Sequence, residues 1–202
     1  TNREGENIMN KPYLIAEMGV NFYDTAKAMG ITPLQAAKLY IDAAAEVGID
    51  CAKFQSYKAG TIVSKNSPAY WDTTKEPTKT QYELFLKHDS FGEAEYKELC
   101  DYTHSKGMDF TSTPFDYASA DYLENMVDFY KISSSDLSNL PFIRHIGKKG
   151  KPVYMSVGAA YLSEVDEAIR ALKESGCKDI VIFHCVLSYP TNPSNANLKV
   201  IE

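Results

Sequence analysis

The chain has 202 residues, 44% of them hydrophobic and 24% charged, an ordinary globular composition with enough length for one sizeable core. A formal net charge of −6 argues against a nucleic-acid or anionic-membrane surface, because both need concentrated Lys and Arg to displace counterions. No apolar run approaches the roughly 20 residues that span a bilayer and the opening is polar, so a cytoplasmic small-molecule protein is expected.

Residues 1–10 read as a flexible N-terminal extension, with Met9 as a candidate natural start. Residues 11–202 then alternate between two patterns. Short apolar runs at 13–16, 51–54, 108–111, 129–132, 153–156 and 180–183 predict buried parallel strands. The segments between them have helical period and recognisable ends. Thr32 and Pro33 predict an N-cap and first helical residue, with Ala36, Ala37, Tyr40, Ala43, Ala44 and Val47 on one apolar face before Gly48. Ser90 with Glu93 predicts a capping box ahead of Tyr96, Leu99, Cys100 and Thr103. Ser163 with Asp166 predicts another, ahead of Val165, Ala168, Ile169 and Leu172. The stretch 56–80, with Trp71, Pro68 and Pro77, is read either as an active-site lid or subunit contact or as a surface excursion.

Alternating β and α elements require a parallel sheet, and no G-x-G-x-x-G follows the first strand. Polar residues end nearly every strand, which fits a (β/α)8 TIM barrel whose strands converge on one mouth. Six strands are readable where eight are needed, so the barrel is expected to be truncated after about six.

Lys53 and Gln55 share parity on the second strand and are expected to face inward near its C-terminal end. A lysine there is costly to bury without an anion, so it predicts a phosphate or carboxylate ligand or a Schiff-base role. Lys131 on the fourth strand makes a second cation, and two lysines can clamp one dianion. Ser112 and Thr113 end the third strand; Ser156 and Gly158 end the fifth. Their hydroxyls and amides suit phosphate oxygens, although Ser and Thr at strand ends also cap helices. Glu17 ends the first strand, as an acid, base, metal ligand or partner of a lysine. Cys51, Cys100, Cys177 and Cys185 are isolated and read as inert thiols. His184 reads as a packed residue, and His88, His104 and His145 as helical surface residues.

Five blocks in order, Ile15-Ala16-Glu17-Met18-Gly19-Val20-Asn21, Ala52-Lys53-Phe54-Gln55, Ser112-Thr113-Pro114-Phe115-Asp116, Lys131-Ile132-Ser133-Ser134-Ser135-Asp136, and His184-Cys185 with Ser188-Tyr189-Pro190, resemble the sialic acid synthase family. The resemblance implies a (β/α)8 barrel followed by an antifreeze-protein-like domain, of which this chain matches only the first three quarters of the barrel. It implies condensation of phosphoenolpyruvate with an N-acylated amino sugar, such as N-acetylmannosamine, to a nonulosonic (sialic) acid with release of phosphate. By resemblance, phosphoenolpyruvate meets Lys53, Thr113, Lys131, Ser134 and Ser156. The amino sugar meets Gln55, Tyr189 and Glu17 or Asp136, the last two being the catalytic candidates. The family's divalent metal, Mn or Mg, is expected on histidines beyond residue 202. The family tends to be homodimeric. The 202-residue chain is therefore expected to be inactive alone. Three departures stand out. Phe22 follows Asn21 where the family often has histidine, Asp136 stands where Glu is common, and Leu187 occupies a position polar in some members.

Competing readings are a Schiff-base barrel aldolase on Lys53 or Lys131, another phosphoenolpyruvate-condensing enzyme acting on a phosphorylated sugar, and a non-catalytic barrel fragment. The second would call for more arginine than Arg3, Arg144 and Arg170.

Overall fold

A computed structural model describes residues 11–188 and 190–201; the expectations for residues 1–10 and for Tyr189 lie outside the described residues. Strands β1 (Ile15–Gly19), β2 (Cys51–Ser56) and β3 (Asp109–Pro114) form one parallel sheet in chain order. Strands β4 (Tyr130–Ile132), β5 (Val153–Ser156) and β6 (Ile180–Phe183) form a second in the same order. The sheets meet between β3 and β4, where Asp128 N–H donates to Phe110 O at 2.9 Å and Thr111 Oγ1 to Phe129 O at 2.5 Å. All six expected strands are present, and the fold is α/β with parallel sheets.

The sheets curl. The Tyr13 ring, just ahead of β1, meets the edge of Phe129 at 6.4 Å; Phe129 stacks on Tyr154 at 4.0 Å, and Tyr154 meets Phe183 at 5.8 Å. Rings beside β1 and β4, which are not neighbours in the strand order, touch only if the inner face is concave, and Tyr13 and Phe183 line one cavity across it. Along β2 the pleat alternates, so Ala52, Phe54 and Ser56 are buried outward while Lys53 and Gln55 are half-buried on the concave side.

The outward face is the core. Helices α1 (Phe22–Met29), α2 (Pro33–Glu46), α3 (Ala59–Ile62), α4 (Gln81–Leu86), α5 (Glu93–Ser105), α6 (Tyr117–Tyr122), α7 (Leu140–Gly147) and α8 (Leu162–Glu174) connect the strands. Phe22, Phe54, Phe110, Leu99, Ile41, Tyr130, Ile143 and Leu172 are fully buried in one contiguous cluster, each contributing on the order of 1.5–3 kcal/mol.

Helix ends follow sequence chemistry with three corrections. Thr32 caps α2 as expected, its hydroxyl accepting from Gln35 N–H at 3.2 Å while Gln35 Oε1 accepts from Thr32 N–H at 2.9 Å. Helix α5 starts at Glu93 rather than at Ser90, because Tyr23 takes the Ser90 hydroxyl at 3.0 Å; Glu95 instead accepts from Gly92 N–H at 2.8 Å. Helix α8 starts two residues earlier than Ser163 allows, because Glu164 supplies the capping carboxylate to Tyr161 N–H at 2.8 Å. On α2 the buried face is Ala36, Ala37, Ile41 and Ala44, while Ala43 and Val47 are exposed. Ile41 thus takes the buried place expected of Ala43 and Val47, while Tyr40 stays half-buried with its hydroxyl 2.8 Å from that of Thr25.

Helices α7 and α8 touch closely at Gly147. A Cβ there would lie 2.8 Å from Ser175 Cβ and 3.2 Å from Leu172 O, neither of which can move without the backbone. Gly147→Ala is therefore expected to lower the unfolding free energy by about 1–3 kcal/mol in urea titration, and an unchanged midpoint would contradict this packing.

Candidate anion-binding site at the strand ends

The concave face carries polar groups where β1 to β5 end. Lys53 on β2 pairs in register with Glu17 on β1 and Thr111 on β3. Its ammonium forms an ion pair with Glu17 and donates to Thr113 Oγ1 at 3.4 Å. Gln55, one pleat further on, donates from Nε2 to the other carboxylate oxygen, Glu17 Oε1, at 3.2 Å. Glu17 is thus held by two neighbours of one strand.

The β1 backbone leaves the ladder at this point, with a register slip between Glu17 and Gly19. Gly19 has φ +53°, and a Cβ on it would lie 3.0 Å from Glu17 Oε1. Only glycine both takes this left-handed turn cheaply and leaves the carboxylate its room.

The second half of the site lies on β4 and β5. Lys131 is only 7% exposed, and its ammonium donates to Ser156 Oγ at 2.6 Å and Ile132 O at 2.7 Å. It also lies 5.6 Å from the centre of the Phe183 ring. No carboxylate pairs with it among the described residues. Burial, and secondarily the Lys53 charge, push its pKa down to about 8, opposed by Cys185 and Glu17. Next to it, Ser134 Oγ accepts from Gly158 N–H at 3.0 Å, and Gly158 packs against Cys185. A cavity of about 280 Å³ opens beneath Lys53, lined also by Tyr13, Ile15 and Phe183.

Seven of the expected site residues therefore fall into two adjoining groups: Glu17, Lys53, Gln55 and Thr113, then Lys131, Ser134 and Ser156. Asp136 does not join them by any contact. It sits in the turn after β4 beside Ser135, which donates to it at 3.4 Å, and burial holds its carboxyl above the usual range. Ser112 points outward, its hydroxyl 2.6 Å from that of Ser56 and both fully buried, so it belongs to the core side of the sheet. Phe183 and Gly19 escaped sequence reasoning. Their only signal was position at a strand end, which an apolar ring or a glycine does not advertise.

The other departures also resolve. Phe22 is wholly buried, stacked on Phe91 at 5.0 Å and edge-on to Phe54 at 6.0 Å, so that position packs the core. Leu187 is exposed. His184 is part-buried on Ala196 O at 2.6 Å, and His88 lies in a turn against the Tyr23 ring rather than on a helix. Cys51, Cys100 and Cys177 are buried free thiols. Among the described residues no three His, Cys, Asp or Glu side chains converge as a ligand group for a metal ion.

Residues 40–202 match the model of the NeuB family. This chain belongs to the NeuB family. It is 34% identical over 200 residues to the N,N'-diacetyllegionaminic acid synthase of Campylobacter jejuni, covering 96% of this chain and 57% of that protein. It is 29% identical to the mouse N-acetylneuraminate-9-phosphate synthase over 191 residues, 94% of this chain and 51% of that one. The citrate complex of sialic acid synthetase from Leptospira borgpetersenii superposes with a TM-score of 0.79 at 30% identity, over 95% of this chain and 60% of that one. The chain spans about half the length of the curated NeuB relatives it matches.

Lys131 makes stability pH-dependent with a definite sign. Its folded pKa of about 8 lies below the 10.5 of an unperturbed lysine, so between these values the unfolded chain binds the proton that the folded chain lacks. Stability contributed by this group is present above pH 10.5 and is lost as pH falls through 8. Wild type should gain about 3 kcal/mol relative to Lys131→Met between pH 8 and 10.5 in anion-free buffer. A pH-independent difference between the two would contradict the burial of this ammonium.

Proposed function

We propose that this NeuB-family protein takes part in nonulosonic acid synthesis by seating phosphoenolpyruvate at the strand ends for condensation with an N-acylated amino sugar, with release of phosphate. The observation that carries the reading is Lys131, a buried ammonium without a carboxylate partner, facing a second lysine. Glu17 compensates Lys53 only, so the charge on Lys131 is left for an entering anion to balance. Lys53 and Lys131 would hold phosphate and carboxylate, with Thr113, Ser156 and Ser134 donating hydroxyl hydrogen bonds.

The enolpyruvate methylene carbon forms the new C–C bond to the open-chain sugar aldehyde, whose oxygen takes up a proton and becomes a hydroxyl. Water adds at the former enol carbon, giving one proton in exchange for that one and the other to the departing phosphate as the C–O bond breaks and the keto group forms. Gln55 and Tyr189 would meet the sugar. Asp136, whose carboxyl burial keeps it partly protonated to a higher pH than usual, would move a proton, while Glu17 serves Lys53. The divalent metal implied by family resemblance would polarise the aldehyde oxygen, and no step here depends on it.

The wider reading is that these six strands are part of an eight-stranded barrel, in a cytoplasmic homodimer. The concave curl and the strict β/α alternation support the barrel. No described helix is long and apolar enough to cross a membrane.

The depressed pKa of Lys131 favours one rival, a Schiff-base aldolase, since an amine near pH 8 is a competent nucleophile. Borohydride with a carbonyl substrate would then fix a label on Lys131. On the phosphoenolpyruvate reading no lysine is trapped.

Calorimetry supplies the main test. Phosphoenolpyruvate binding at pH 8.5 should draw in up to about three quarters of a proton, read from the heat in buffers of different ionisation enthalpy, because the bound anion restores the charge on Lys131. Lys131→Met should remove the uptake and weaken binding by at least about tenfold. Tight binding with no proton uptake would sink the assignment.

A further inference from the structure

The two lysines of the cradle are not equivalent. Among the described residues Lys131 is met by a hydroxyl, a carbonyl and the Phe183 ring and by no carboxylate, whereas Lys53 is already neutralised by Glu17. The Glu17 carboxylate is 46% exposed while the Lys53 side chain is 12% exposed, so the anion lies on the solvent side of the cation. Anything entering the mouth meets Glu17 before it reaches Lys53.

The backbone gives Glu17 a way to move. It sits at the bulge where β1 slips out of register with β2, beside a glycine that crowds neither of its oxygens with a Cβ. Its remaining hold is one hydrogen bond from Gln55, itself half-buried at the same mouth. An exposed carboxylate with a single neutral donor and one ion pair is readily exchanged, because both contacts can be replaced by water or by another anion.

We propose that Glu17 is a built-in counter-ion that occupies Lys53 in the free protein and must be displaced by the substrate's phosphate. This rests on the reading of the strand ends as a phosphoenolpyruvate seat and adds a gate to it. The gate has a consequence for selectivity. A ligand wins Lys53 only by bringing more negative charge than the single charge it expels, so a dianionic phosphate is favoured over a monoanion such as pyruvate. Gln55 then acts through Glu17 as a positioning residue, holding the displaced carboxylate to one side.

Titration calorimetry with inorganic phosphate, phosphoenolpyruvate and pyruvate separates the possibilities. Glu17→Gln should bind phosphate about tenfold more tightly than wild type and lose part of its preference for phosphate over pyruvate. Glu17→Asp retains the charge and should show neither change. Unchanged or weaker phosphate binding by a folded Glu17→Gln would overturn the gate, because it would mean that Glu17 aims Lys53 instead of competing for it. A second measurement is independent of any variant. In 15N spectra of the wild-type lysine side chains, phosphate should shift the Lys53 ammonium as its pair with Glu17 breaks, and an unshifted Lys53 in a phosphate-bound protein would overturn the gate. The parent reading fails differently. If Lys53→Met and Lys131→Met bind phosphoenolpyruvate as wild type does, or if none of the proteins binds it, the seat is not here and the gate falls with it.

Discussion

A buried ammonium with no carboxylate beside it is the constraint from which the rest of the site follows. Lys131 is held by a serine hydroxyl, a backbone carbonyl and the face of Phe183, all neutral. Desolvation is opposed only weakly by such neighbours, so the group either loses its proton or waits for an anion. Lys53 increases the demand from across the mouth. Glu17 balances Lys53, so the uncompensated cost falls on Lys131, and a fold retains such a group where a ligand offsets it.

The architecture explains how the residues come together without any local motif. Parallel strands present alternate side chains to one face, and curling the sheets turns that face into a cup. Lys53, Gln55 and Thr113 meet because β2 and β3 are in register, and Lys131 meets Ser156 because β4 and β5 are. The outward face is mostly apolar and is sealed by helices, which fixes the register, since a slip of one residue would exchange Lys53 for Ala52 or Phe54 and Lys131 for Tyr130 or Ile132. Function and core packing are therefore set by the same alternation.

That alternation is also why much of the site was legible in the amino-acid order. Lys53 and Gln55 could be placed inward from parity alone, and Lys131 from its position within an apolar run. Ser112 and Thr113 both end β3 but lie on opposite faces; Ser112 pairs in register with outward Phe54 and its hydroxyl meets Ser56, while Thr113 pairs with inward Gln55. The start of α5 was misjudged at Ser90 because a tyrosine distant in sequence claims that hydroxyl. Asp136 was recognisable as part of a family block, yet its contacts stay within its own turn. Glu17 was legible as a mouth residue; its commitment to Lys53 rather than to Lys131 depends on the neighbouring strand. Long-range pairing decides the helix start at Ser90 and the partner of Glu17, and no local pattern encodes either.

The central claim is that one dianion bridges the two lysines, and a crystal structure of the protein with phosphoenolpyruvate tests it most directly. The account predicts the ligand's phosphate and carboxylate between the ammonium groups of Lys53 and Lys131, with Ser156, Thr113 and Ser134 hydroxyls on its oxygens. A ligand bound elsewhere, or a covalent C–N bond to either lysine, would contradict it.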